Sequence, residues 1–250
     1  SLSQIIDFVY KNLSSQYKLF IAGCDALFYK EFFPNLNFIE DSKKLEKTSY
    51  QIPHTNIVKA DKVMPLGTVQ IQTGCNNQCS YCAFPTFKGH KSTSKTKEEI
   101  VSDIKHNIEK NIYNITLTGL NICQYSDPND NTNLIELIQY ILNQKLNIDQ
   151  LSLYSIDPAY DKIFELMDLI ESNKTLSKNL YLATQSGSDA VLKKMNRRHN
   201  SAKMQAIIEY AKKIKIRHDF IVGHPGETEE EFKETYDFIK KCGFNMLHVF

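Results

Sequence analysis

No run in this sequence approaches the roughly 18 consecutive apolar residues of a membrane span, and the first residues lack the charged-then-apolar order of a secretory leader. The chain therefore reads as soluble, with no membrane partner. Net charge is almost absent, with 30 Lys plus Arg against 29 Asp plus Glu. Total charge thus argues neither for nor against nucleic acid, and any binding face must be local. A secreted disulfide scaffold is excluded by the uneven clustering of the six cysteines, Cys24, Cys75, Cys79, Cys82, Cys123 and Cys242, which fits a reducing cytoplasm. With 42% hydrophobic and 24% charged residues, the composition is that of a globular protein rather than a disordered or fibrous one. A chain of 250 residues suffices for one sizeable core, or for one α/β domain with a small partial domain attached. It opens with Ser1 rather than Met and stops at Phe250 inside an apolar run, which reads as a piece of something longer.

One further absence is chemical. Cys75, Cys79 and Cys82 stand in a C-x3-C-x2-C spacing directly after a strand-like run, and no fourth cysteine follows at comparable spacing. Three thiolates can wrap one face of a cubane iron-sulfur cluster, whereas full ligation by protein takes four. One iron would stay open to a substrate or cofactor, which is a catalytic design. The alternative is a zinc loop completed by His90, since zinc accepts three Cys and one His. The separated C-x2-C or H-x3-H pairs usual for zinc are missing, as is the ferredoxin pattern C-x2-C-x2-C-x3-C-P.

Residues 4–15 carry apolar side chains at helical spacing, and Tyr17–Ala22 and the region of Phe38 and Ile39 read as short strands. A polar, lysine-rich stretch over 40–61 reads as a linker and sets a boundary near residue 60. Beyond it, strands at 68–72, 113–118, 150–154, 180–183, 219–222 and 246–250 alternate with helices at 95–110, 132–143, 160–171, 189–195, 201–214 and 227–241. Such alternation implies a parallel sheet with helices outside. The expected fold is α/β: a six-stranded parallel partial (β/α)6 TIM-like barrel over 61–250, preceded by a partial small α/β module over 1–60.

In a parallel barrel, function gathers where strands end. The expected strand ends are Thr73-Gly74 with the cysteine loop, Thr118–Asn121, Ser155–Pro158, Thr184–Ser188 and Gly223–Glu227. Small and polar residues occupy each, which suits a nucleoside-like cofactor. The same residues also make turns and helix caps.

The cysteine spacing, with Tyr81 before the last cysteine, resembles the shared motif of the radical S-adenosylmethionine superfamily. Four more segments narrow the resemblance to its methylthiotransferases that modify tRNA or ribosomal protein. They are Leu117–Asn121, Leu182–Asp189 running on to Met195–Arg198, Asp219–Glu227 and Leu247–Phe250. The closing Leu-His-Val-Phe looks most like the subgroup acting on threonylcarbamoyladenosine next to the tRNA anticodon. The resemblance implies a 4Fe-4S cluster on Cys75, Cys79 and Cys82, with S-adenosylmethionine chelated to its open iron. A 5'-deoxyadenosyl radical would then abstract hydrogen and a methylthio group take its place. By position in the family, Tyr81 would lie near adenine, Gly119 and Asn121 near the methionine part, and Gln185 with Ser186 near the ribose. The implied partners are tRNA, a reducing electron donor such as flavodoxin, and a sulfur source.

Family members carry an N-terminal module with three further cysteines for a second cluster, and Ile21–Asp25 resembles the segment bearing the last, making Cys24 a candidate ligand whose two partners are absent. Cys123 and Cys242 read as buried free thiols. Two basic stretches offer an RNA face: Lys88, His90, Lys91, Lys95 and Lys97, and Lys193, Lys194, Arg197, Arg198 and His199. A basic helix end also complements the helix dipole. Where family members usually carry arginines in the stretch aligned with 88–95, this chain has Lys, His, Ser and Thr, which cannot make arginine's bidentate contacts.

Overall fold

The computed structural model describes residues 20–22, 37–39, 66–84, 90–211, 213–244 and 246–250. The chain separates into two units, Ser1–Asp61 and Lys62–Phe250. In the first, β1 (Phe20–Ala22) and β2 (Asn37–Ile39) pair in parallel. The helix expected over 4–15, the linker and Cys24 lie outside the described residues.

The second unit runs β3 (Leu66–Gln70), β4 (Gln72–Thr73), β5 (Thr93–Ser94), α1 (Lys97–Glu109), β6 (Asn114–Thr118), α2 (Leu134–Asn143), β7 (Gln150–Leu153) and α3 (Ile163–Ser172). It continues with β8 (Asn179–Gln185), α4 (Asp189–Lys194), α5 (Ser201–Tyr210), β9 (Lys215–Phe220), α6 (Glu229–Cys242) and β10 (Leu247–Val249). The strands β3, β6 and β7 form one parallel sheet in that order, and β8, β9 and β10 another. An isolated parallel bridge from Ile156 to Leu182 links the residues just past β7 to β8. The architecture is therefore α/β with parallel sheets, as the strand-helix alternation implies.

Local chemistry explains the helix starts. Thr96 with Glu99, Asn133 with Glu136 and Thr228 with Glu231 each form a reciprocal capping box that satisfies two otherwise orphaned N–H groups. The apolar stripes Ile100 and Ile104, Ile138 and Ile141, Leu166 and Ile170, and Met204 and Ile207 are fully buried against the sheets. They meet Ile115, Leu117, Leu151, Leu180, Leu182 and Phe220, and each such side chain contributes about 1.5–3 kcal/mol on burial.

One strand departs from expectation. The apolar run suggests 219–222, whereas β9 occupies Lys215–Phe220. The cause is alternation: His218 and Phe220 are buried on one face, while Arg217 and Asp219 line a cavity on the other. β8 behaves likewise, with Leu180 and Leu182 in the core and Tyr181, Ala183 and Gln185 facing the cavity.

Candidate metal centre and cofactor cavity

The cysteine loop grows from a constrained base. β4 and β5 pair antiparallel, Gln72 with Ser94 and Thr73 with Thr93, and so close the loop between them. Gly74 has φ +69, and a Cβ there would stand 2.0 Å from the Lys91 carbonyl oxygen, so both conformation and space require glycine. Gln72 is buried beneath it. Its Nε2 donates to the Gly74 carbonyl, to Thr73 O at 3.0 Å and to Ser92 Oγ at 2.8 Å, while its Oε1 accepts from Asn121 N at 3.1 Å. One amide thus ties the cysteine loop to the end of β6.

More distant segments hold the middle of the loop. Ser80 N donates to Met195 O at 3.1 Å, Ser80 Oγ to Lys194 O at 2.9 Å, and Asn196 Nδ2 to Gln78 O at 2.9 Å. His224 Nε2 lies 3.0 Å from Ser80 Oγ. Asn77 donates to Asp157 Oδ2 at 2.8 Å and accepts from Gln124 Nε2 at 3.1 Å.

Asp157 is the focus of this network. Its Oδ2 accepts from Asn77 and, at 3.2 Å, from Asn121 Nδ2; its Oδ1 accepts from Ala159 N at 3.0 Å and Arg197 Nη2 at 2.9 Å. Arg197 also donates from Nη1 to Cys79 Sγ at 3.3 Å and from Nη2 to Ala183 O at 3.0 Å. The Asp157 and Arg197 side chains are only 6% and 5% exposed. Burial alone would push the Asp157 carboxyl up, but the Arg197 guanidinium and the Ala159 and Asn77 hydrogen bonds outweigh it and hold the acid below its ordinary range. Most of the pair's remaining hydrogen-bonding capacity is met in this way, which a buried ion pair requires, although Arg197 Nε has no partner among the described residues.

Cys75, Cys79 and Cys82 all line a cavity of about 450 Å³, together with Tyr81, Asn121, Asp157, Gln185 and Arg197. Among the described residues no three His, Cys, Asp or Glu side chains converge as a single ion would require. Three thiols around one cavity suit a polynuclear cluster, in which each iron takes one thiolate. The cavity also offers Gln185 Oε1, buried with no hydrogen-bond partner among the described residues. Gln185 has φ +72, a conformation that costs a non-glycine residue energy and aims it into the cavity. The donor set and an unpartnered acceptor beside it fit a cluster with a polar organic co-ligand. Burial raises the Tyr81 phenol and the Cys82 thiol above their ordinary values.

The other expected site residues stand elsewhere. Gly119 does not line the cavity; a Cβ on it would lie 2.6 Å from Gln72 Oε1, so its smallness admits the Gln72 amide. Ser186 is fully buried, bonded through Oγ to Thr235 Oγ1 at 2.8 Å and accepting from Ser188 N at 3.1 Å. It secures the start of α4 against α6 rather than facing the cavity. The Gly223–Glu227 turn reaches the site only through His224. Cys123 is partly buried, accepts from Asp157 N at 3.3 Å, and has its thiol pushed up to about 12 by desolvation.

The basic stretches need correction as RNA faces. Arg197 and His199 are inside the protein, and Lys95, Lys97 and Lys194 pair with Asp103, Asp130 and Glu231. His90, Lys91, Lys193 and Arg198 are exposed, and Lys88 lies outside the described residues. Gln72 and Arg197 as site residues were missed by sequence reasoning, and Asp157 was included only as part of the strand end Ser155–Pro158. The position of Arg197 inside the Lys193–His199 run disguised it as part of a solvated helix end.

The family model "Radical SAM superfamily" matches residues 69–239. The chain belongs to the radical SAM superfamily. This superfamily uses a 4Fe-4S cluster and S-adenosylmethionine. A curated relative, tRNA-2-methylthio-N(6)-dimethylallyladenosine synthase of Finegoldia magna, is 32% identical over 189 residues, covering 74% of this chain and 41% of that protein. Threonylcarbamoyladenosine tRNA methylthiotransferase MtaB of Rickettsia prowazekii is 29% identical over 260 residues, covering 93% of this chain and 61% of the relative. The chain spans about two fifths of the length of the first curated relatives it matches. Among solved structures, the radical S-adenosylmethionine methyltransferase TsrM of Kitasatospora setae, with cobalamin and a [4Fe-4S] cluster bound, superposes with a TM-score of 0.60 at 16% identity. That match covers 74% of this radical SAM chain and 36% of the other, and shows the shared fold.

Proposed function

We propose that this radical SAM chain is the catalytic part of an enzyme that transfers a methylthio group to an adenosine next to the tRNA anticodon, with threonylcarbamoyladenosine as the substrate nucleoside. The observation that carries the reading is the cavity shared by Cys75, Cys79 and Cys82 with Asn121 and Gln185. The relatives named threonylcarbamoyladenosine tRNA methylthiotransferase and the Leu247–Phe250 segment support the nucleoside, while other relatives are named for the dimethylallyl one.

In this reading the six parallel strands from β3 to β10 other than the short pair β4 and β5 act as one partial barrel. Residues 61–250 are the radical SAM core and 1–60 part of an N-terminal module, in which Cys24 is a ligand of a second cluster. Cys75, Cys79 and Cys82 hold the first. When bound, the cluster and S-adenosylmethionine supply radical chemistry that removes hydrogen from an unactivated carbon. Tyr81, Asn121 and Gln185 orient the cofactor, and Arg197 and Asp157 keep the loop in register beneath it. Gly119 and Ser186 support that geometry from behind. The cavity walls keep water from the reacting centre. The enzyme works in the cytoplasm on tRNA, with a reducing donor such as flavodoxin and a separate sulfur source.

The test has two parts. Anaerobic reconstitution with iron and sulfide gives a brown protein that cleaves S-adenosylmethionine when reduced; a colourless zinc protein would defeat the radical reading. Nucleoside analysis of tRNA from a deletion strain shows loss of the methylthio derivative of threonylcarbamoyladenosine. Loss of the methylthio dimethylallyl nucleoside instead would reassign the substrate, and unchanged levels of both would reject tRNA.

A further inference from the structure

The wall of the cavity away from the cysteine loop carries charge that the cofactor residues do not use. Arg217 on β9 lies beside Tyr181 on β8 in the parallel register, and Asp219 beside His248 on β10. All four line the cavity, with Tyr154. Tyr154 and Tyr181 are stacked, with ring centroids 4.2 Å apart and planes 22° from parallel. The Arg217 guanidinium sits 5.4 Å from the Tyr181 ring centroid.

Of the two arginines in the cavity lining, one is paired. Asp157 pairs with Arg197, and Asp219 Oδ1 lies 3.3 Å from His248 Nδ1, an ion pair only when that ring carries a proton. Arg217 forms no ion pair among the described residues, and its Nε is buried without a hydrogen-bond partner. A buried guanidinium N–H left unsatisfied is costly, and a carboxylate is its best geometric partner. Tyr154 is 37% exposed and leaves aromatic surface on which a base can stack.

Resting on the reading under Proposed function, we infer that Arg217 is a specificity-determining residue that binds the carboxylate of the N6 substituent of the substrate adenosine while Tyr154, backed by Tyr181, stacks against its base. A threonylcarbamoyl group carries a carboxylate; a dimethylallyl group carries none, and would leave Arg217 facing hydrocarbon. The cavity thereby selects an anionic substituent.

The test uses the full-length holoenzyme and two anticodon stem-loop RNAs, one bearing N6-threonylcarbamoyladenosine and the other its methyl ester, which differs in charge and one methyl group. Wild type binds the free acid about tenfold more tightly than the ester, the value of one charge-assisted hydrogen-bonded contact. R217Q binds both RNAs alike, at the level of the ester, and R217K keeps part of the preference. A preference that survives in R217Q, or equal binding of acid and ester by wild type, overturns the inference. So does a tenfold loss of S-adenosylmethionine affinity in R217Q with the RNA preference intact, because the carboxylate held would then be the cofactor's. Absence of methylthiolated product from either RNA, with the wild-type preference for the acid present and lost in R217Q, rejects the reaction proposed above and upholds the role of Arg217.

Discussion

The guanidinium of Arg197 donates to the sulfur of Cys79 at 3.3 Å, from a position almost wholly enclosed by protein. A residue that sequence patterning assigns to a basic surface is thus in contact with a candidate cluster ligand. Its other arm holds Asp157, so loop and sheet are locked through one side chain.

Replacing Arg197 leaves the Asp157 carboxylate buried without its ion. R197Q should cost about 3–5 kcal/mol of stability, as removal of one member of a buried pair does, and D157N a comparable amount, because it leaves the Arg197 guanidinium buried without its carboxylate. Urea unfolding of the two variants against wild type measures both losses. Small losses in both would mean that the pair is dispensable.

G74A should abolish cluster loading while leaving most of the helical content in place. The methyl group would meet the Lys91 carbonyl, and the backbone angle of +69 disfavours any side chain. Iron per chain after anaerobic reconstitution, read beside the circular dichroism spectrum, checks it; a full iron complement would contradict the geometry described for the loop base.

Acid should destabilise the fold well before carboxylates titrate. Burial, helped by Arg197, lowers His199 from 6.5 to about 4, and burial lowers His218 to about 3. The unfolded chain takes up protons on both rings near pH 6.5 while the folded chain does not. Stability therefore falls as pH drops below 6.5 and levels off near 3. Between pH 7 and about 4.5 the two rings together should remove on the order of 5 kcal/mol. Replacing His199 or His218 with a neutral, similarly sized residue should flatten the profile; an unchanged slope in both single variants would assign the acid sensitivity elsewhere.

Thiol labelling should separate the cysteines by role. In the metal-free protein Cys75, Cys79 and Cys82 line an open cavity and should react with iodoacetamide first, whereas Cys123, partly buried against the core and with its thiol raised to about 12, should react far more slowly. Peptide mapping after a timed pulse gives the order, and early modification of Cys123 would show that its packing opens readily.

The strand-helix order and the cysteine loop were legible because their signals are local: a period of two or 3.6, and three cysteines within eight positions. β9 was misplaced because Lys215 is a solvent-exposed strand residue and Arg217 looks like one when read without the cavity it lines. The roles of Gln72, Asp157 and Arg197 escaped for a related reason. Each bonds a partner 49, 80 or 118 residues away in sequence, and no local pattern marks a polar residue for so distant a partner. Gly119 shows the converse, a small residue at a strand end that accommodates a neighbouring side chain instead of a ligand.

The anchoring of the cysteine loop by Ser80, Gln78 and Asn77 to residues as far on as Asn196 has a consequence in time. A nascent chain emerging from the ribosome presents all three thiols more than a hundred residues before the segment that fixes their arrangement. Cluster delivery to an ordered loop must therefore wait for synthesis to pass α4, and until then the thiols are exposed to oxidants and to stray metal.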